Sequence, residues 1–149
     1  MKNLLNHSDL NSLMIRLNRI KPDTKARWGK MDAAQMIVHL RDPLLAAMGK
    51  RKVIPQSSIL STWPVNKLMA LYLPWPKGAP THPDFIQGLG GSIPESFEKD
   101  FENLLQTISE FASFKGTYAK QPVFGDFSNW EWARLMWRHI NHHLKQFGV

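Results

Sequence analysis

Apolar residues recur at helical spacing in four stretches of the chain. From Ser8 to Arg19, Leu10, Leu13, Met14 and Leu17 fall on one stripe, and Pro22 closes the segment. The stretch "MDAAQMIVHLRDPLLAAMG" predicts a second helix. Asp32 stands as its N-cap with Gln35 as capping-box partner, Met31 and Met36 occupy the staple positions, and Gly49 is placed to stop it. A third stripe, Phe97, Phe101, Leu104, Leu105, Ile108 and Phe111, predicts a helix reaching about Phe114. Its start is read at Ser92 and Glu95, with Pro94 in the first turn. The last stripe runs through Trp132, Leu135, Met136, Ile140 and Phe147, behind a Ser128–Glu131 cap and a Phe127–Trp132 staple. No segment alternates as a strand does. The expected fold is all-α: a four-helix bundle forming one domain over residues 1–149.

The region between the second and third long helices breaks this pattern. Seven of the ten prolines lie between Pro55 and Pro94, together with Gly78, Gly88, Gly90 and Gly91. The expectation is a long Pro-rich insertion, mostly ordered loop, with one short helix around Val65 to Leu73. Trp63, Tyr72, Trp75 and Phe85 give it too much apolar area for a floppy linker. Trp63, Tyr72 and Trp75 are therefore candidates for the wall or lid of a pocket, against the plainer reading of ordinary core packing.

Composition changes the picture in three ways. The net charge of +7 over 149 residues admits a nucleic acid, a membrane surface or an acidic small molecule as partner. The basic residues are scattered, however, with Lys50, Arg51 and Lys52 as the one dense run, and no recognised nucleic-acid motif accompanies them. The chain has no Cys, so a metal site must be built from His, Asp or Glu, and any thiol chemistry must come from outside. No apolar run approaches the ~20 residues of a membrane span, and the first residues do not read as a signal peptide. A cytoplasmic protein without membrane partners is the expectation.

The chemistry concentrates in the last helix, which carries His139, His142 and His143. At about 100° per residue, His139 and His143 fall near the centre of the apolar arc, one turn apart, and His142 falls on the polar edge. Side chains at i and i+4 stack on one face about 5–6 Å apart, a spacing that lets two imidazoles share one ion. The alternative is a pair of core histidines hydrogen-bonded to separate neighbours. His39 on the second helix is the candidate third ligand, and facing helices of a bundle readily bring one His against an H-x-x-x-H pair. Pro43 lies four residues after it and can donate no N–H to its carbonyl. The helix should bend there, unless Pro43 marks an early end. Three neutral imidazoles match catalytic metal sites that keep a position open, and they suit Zn, Ni, Cu and Fe alike. Asp42 and Gln146 are candidates to hydrogen-bond the ring N–H groups.

These segments resemble the DinB-like superfamily of metal-binding four-helix bundles, and within it an uncharacterised bacterial branch. The matching pieces are "RWGKMDAAQMIVHL" (27–40), "AAMG" at the end of the second helix and "PVFGDFSNWEWARLMWRHINHHLKQFGV" (122–149), and the order of elements matches across nearly the whole chain. The resemblance implies a divalent metal, Zn or Ni first, held by His39, His139 and His143. Members of this branch often carry His where this chain has Gln121, which implies altered assistance at that point. Activities in the superfamily include metal-dependent transfer or isomerisation with low-molecular-weight thiols. The implied function is a metal-dependent enzyme acting on a small molecule that the resemblance does not name, either a hydrolase or a transferase with a low-molecular-weight thiol as cosubstrate; the basic surface is suited to attract an acidic thiol or substrate. A non-enzymatic metal- or small-molecule-binding bundle is the alternative, nucleic-acid binding ranks behind both, and a homodimer is the expected assembly if there is one.

Overall fold

The structure, a computed structural model, describes residues 1–56 and 61–149. Every regular element among the described residues is helical. Helix α1 spans His7–Leu17, α2 Ala33–Ala47, α4 Phe97–Ser113 and α5 Asn129–Gln146. Between α2 and α4 lie a short α3, Val65–Lys67, that runs directly into a π-helical turn at Leu68–Tyr72, and a 3-10 turn at Pro83–Phe85. Among the described residues there is no strand, only an isolated bridge between Gln121 and Gly125.

Local chemistry sets the helix starts. The Asn6 side chain accepts from the Asp9 N–H and opens α1. Reciprocal capping boxes, Asp32 with Gln35 and Ser128 with Glu131, open α2 and α5. Phe127 and Trp132 meet edge to face at 6.4 Å, which fixes the chain's entry into α5. Helix α4 departs from the sequence reading. It starts behind Ser96, whose side chain accepts from the Lys99 N–H, and not behind Ser92. Ser92 is engaged elsewhere: its N–H and its hydroxyl both reach the Asp42 carboxylate, at 2.8 and 2.5 Å. That tie to α2 holds Ser92 out of helical register and leaves Pro94 before the helix.

Pro43 sits inside α2 and does not end it, since the helix continues to Ala47. The His39 carbonyl consequently lacks its usual helical donor. Helix α2 packs against α4 and α5, and α5 packs also against α1 and the π turn. Leu17, Ile37, Leu40, Leu104, Phe111 and Trp132 are almost fully enclosed between them. Each large apolar side chain buried this way contributes roughly 1.5–3 kcal/mol. Trp132 also satisfies its indole N–H on the Ala119 carbonyl at 2.8 Å.

The connection between α2 and α4 is clamped by one guanidinium. Arg51 donates to Asp42 at 3.0 Å, to the Ser92 hydroxyl at 2.8 Å, and to the carbonyls of Asp84 and Gly90 at 3.1 and 2.5 Å. Within the basic run, this residue organises a loop while Lys50 and Lys52 remain exposed. Among the described residues no helix is long and apolar enough to cross a membrane.

Candidate metal centre

His39 from the middle of α2 and His139 and His143 from α5 converge in one cluster. Their ring centroids form a nearly equilateral triangle with sides of 4.9, 4.8 and 4.8 Å. One nitrogen from each ring lies within 4.8 Å of the others. The three side chains are thus close enough to hold a metal ion between them. Nε2 of His39 and Nε2 of His139 stand 3.0 Å apart. Nitrogen ligands on a tetrahedral zinc are separated by about 3.3 Å, so the pair needs little adjustment to share an ion.

The remaining nitrogens decide which lone pairs face inward. Nδ1 of His39 is 3.0 Å from the Phe85 carbonyl, which only accepts, so Nδ1 carries the proton and Nε2 is bare. Nδ1 of His143 is 2.7 Å from Oε1 of Gln146. The amide orientation is fixed because Nε2 of Gln146 donates to the Trp28 carbonyl at 2.7 Å. Nδ1 of His143 therefore also carries its proton, leaving Nε2 as the donor atom. Nδ1 of His139 is buried and has no hydrogen-bond partner among the described residues. Its tautomer is free to follow whatever binds Nε2.

Burial lowers the pKa of all three rings, and the other histidines add to the effect. His143 is brought down to about 3, by desolvation first and then by His39, against a smaller upward pull from Gln146. His139 lies well below its ordinary value, by desolvation and then by His143, His39 and His142. His39 is lowered by desolvation, which outweighs the opposing bond to Phe85 and the charge of Asp42. All three are neutral near pH 7, the state in which imidazole is a ligand.

A family model described as Protein of unknown function (DUF1569) matches residues 1–148. The chain belongs to the DUF1569 family. No curated protein and no solved structure matches it.

Of the residues the sequence singled out, this DUF1569 chain places some at the cluster and others away from it. Gln146 bonds a ring, as described. Asp42 does not: its carboxylate is taken by Arg51 and Ser92, and the Phe85 carbonyl occupies the place at His39 that it was expected to fill. Trp63 also falls away from the site. It is 79% exposed, because it precedes α3 while Asn66, Ala70 and Leu71 supply the buried side of that segment. Gln121 forms a turn, its amide oxygen accepting from the N–H groups of Val123 and Phe124. Tyr72 sits half-exposed at the rim of a cleft, and Trp75 lies deeper, 6.4 Å from the His139 ring. His142 is less exposed than the helical wheel suggests. It is half-buried between Trp28 and Trp75, 6.0 Å from each ring.

Two clefts flank the cluster. One, of about 370 Å³, is lined by His39 itself with Lys30, Gln35, Phe85 and Gln87. The other, of about 390 Å³, is lined by Trp75 and His142 on its inner side. Sequence reasoning missed three supports of the cluster: the Phe85 carbonyl, Trp28 and Gly29. Gly29 has a φ of +82°, and a Cβ there would come 2.5 Å from Nε2 of Gln146. The W-G pair was visible as a motif, but nothing in its composition says that it holds the amide behind His143.

Proposed function

We propose that this DUF1569 chain is a metal-dependent enzyme built as a four-helix bundle of the DinB-like type, with a Pro-rich insertion between its second and third long helices. His39, His139 and His143 would hold a divalent ion, Zn or Ni first. The observation that carries the reading is the pair of forced tautomers: Phe85 and Gln146 each fix a proton on Nδ1 and leave Nε2 bare. The bare Nε2 of His39 stands 3.0 Å from Nε2 of His139, and one nitrogen of each of the three rings, drawn from two helices, lies within 4.8 Å of the others, which suits a shared ion.

When bound, the ion would supply Lewis acidity and lower the pKa of a water or thiol toward about 7. The chain's own residues do the rest. Phe85 and Gln146 orient two rings, α2 and α5 exclude bulk water from the inner side of the cluster, and the cleft lined by His39 admits a small molecule. A chain without Cys fits either a hydrolase or a transferase that takes its thiol as a cosubstrate. A non-enzymatic binding protein is the second reading, favoured by Gln121, whose amide is engaged in its own turn and offers no acid or base.

The test is elemental analysis of protein purified without chelators or an affinity tag containing histidine. One equivalent of a transition metal is expected in the wild type, and a small fraction of that in His143→Ala and His39→Ala. Metal content that is negligible, or equal in all three, ends the reading.

A further inference from the structure

The cleft beside His142 has a chemistry of its own. Its walls carry four cations, Lys77, Arg134, Arg138 and Lys145, and no Asp or Glu. None of the ion pairs among the described residues engages any of these four. Three indoles, Trp28, Trp75 and Trp137, supply the apolar surface. Lys77 stands 4.9 Å over Trp28, and Arg138 stands 5.1 Å over Trp75. The decisive feature is unsatisfied donors. Six buried side-chain polar atoms among the described residues have no hydrogen-bond partner, and four of them belong to residues that line this cleft: Nε1 of Trp28, Nε1 of Trp137, Nε of Arg134 and Nη1 of Arg138, while the two guanidiniums donate through other nitrogens to the carbonyls of Lys2 and Leu73. All four are N–H donors. Buried donors left unpaired in this way are costly, and they call for an acceptor.

We infer that this cleft binds a small organic acid, an aryl or similarly flat apolar body bearing a carboxylate or phosphate. The acid group would take the guanidinium and indole N–H donors, and the ring would lie against the tryptophans. Arg pairs carboxylate and phosphate alike in forked geometry, so the shared chemistry is an anionic oxygen group on an apolar body. A cleft of about 390 Å³ suits a ligand of this size and not a length of nucleic acid. Trp75 and His142 wall the cleft and also adjoin the histidine cluster, at 6.4 Å from the His139 ring and 5.2 Å from the His143 ring. That the acid is the substrate rests on the metal reading above; that the cleft binds it does not.

The probes are 1-naphthyl phosphate and 1-naphthoate, with 1-naphthol as the uncharged control, titrated into the full chain by tryptophan fluorescence and calorimetry. Each titration is run on chelator-treated and on zinc-supplemented protein. One or both acids should bind at one site, at least about tenfold tighter than naphthol, a difference of about 1.4 kcal/mol. Arg138→Gln should weaken the acid by at least about tenfold and leave naphthol unchanged. Lys77→Gln, at an exposed position that cannot compromise folding, should weaken it in the same direction. Equal binding of naphthol and the acids, no saturable binding, or wild-type affinity in both variants overturns the inference. So does preferential binding of a DNA oligonucleotide over the naphthyl acids. Acid binding by a protein that takes up no metal sinks the enzyme reading alone; metal uptake without acid binding sinks this one alone.

Discussion

Gln146 and Asp42 are each three residues beyond a clustered histidine, and the helical period recommends both equally. What separates them is the chain that closes over each. Trp28 comes to Gln146 and turns its amide toward His143. Ser92 and Arg51 come to Asp42 and take its carboxylate. Helical spacing is legible in a sequence, while the approach of a loop from 50 residues away is not. The two side chains should therefore fail differently. Gln146→Leu leaves the His143 N–H and the Trp28 carbonyl without partners. A stability loss of about 1–3 kcal/mol by urea denaturation is expected, together with a zinc affinity about 10–100-fold lower against a chromophoric chelator. Asp42→Asn loosens the Arg51 clamp and should cost stability on a similar scale, roughly 1–3 kcal/mol. Its zinc affinity should change far less than that of Gln146→Leu. A reversed order of the two affinity losses would show that Asp42 does orient a ring.

Among the elements, α2 and α5 were readable because their caps and their apolar stripes agree. The start of α4 was not, because Ser92 and Ser96 are both chemically suited to cap and only the tie to Asp42 excludes the first. The cap of α5 also carries a pH dependence. Burial alone would raise the Glu131 pKa, but bonds from Lys67 and Ser128 outweigh it and leave the carboxyl below its ordinary value. A carboxyl lowered on folding stabilises the native state above its unfolded pKa, and the contribution disappears as pH falls through the folded value. Glutamine can still close the capping box at this position, so Glu131→Gln removes the charge facing Lys67 at 2.8 Å and little else. The pair is partly buried at the surface, and a loss of about 1 kcal/mol at pH 7 is expected. Denaturant titrations of the two proteins should converge as pH is lowered below about 4. A difference that persists there would mean that the substitution damages packing and not an ion pair.

At the scale of the whole molecule, helical class and the convergence of α2 with α5 followed from the sequence, since two apolar arcs with histidines at their centres have few ways to pack. The clefts did not follow. They depend on where the connection between α2 and α4 settles, and Trp63 and Trp75 look alike in sequence although one is exposed and the other lines a wall. The same convergence predicts how metal and fold are linked. The cluster draws ligands from helices separated by 100 residues, so the unfolded chain cannot reproduce it. A ligand that binds only the native state stabilises it by about 2.7 kcal/mol at a free concentration one hundred times its Kd. For a chain of this length each kcal/mol moves Tm by roughly 2–4 °C. Zinc at that excess should thus raise the Tm of metal-free protein by about 5–11 °C. His39→Ala, which removes the one ligand contributed by α2, should lose most of that rise. His7→Ala, at an exposed histidine outside the cluster, should keep all of it. A zinc-dependent rise of equal size in His39→Ala would mean that the ion sits on α5 alone and that the two helices are not joined through it.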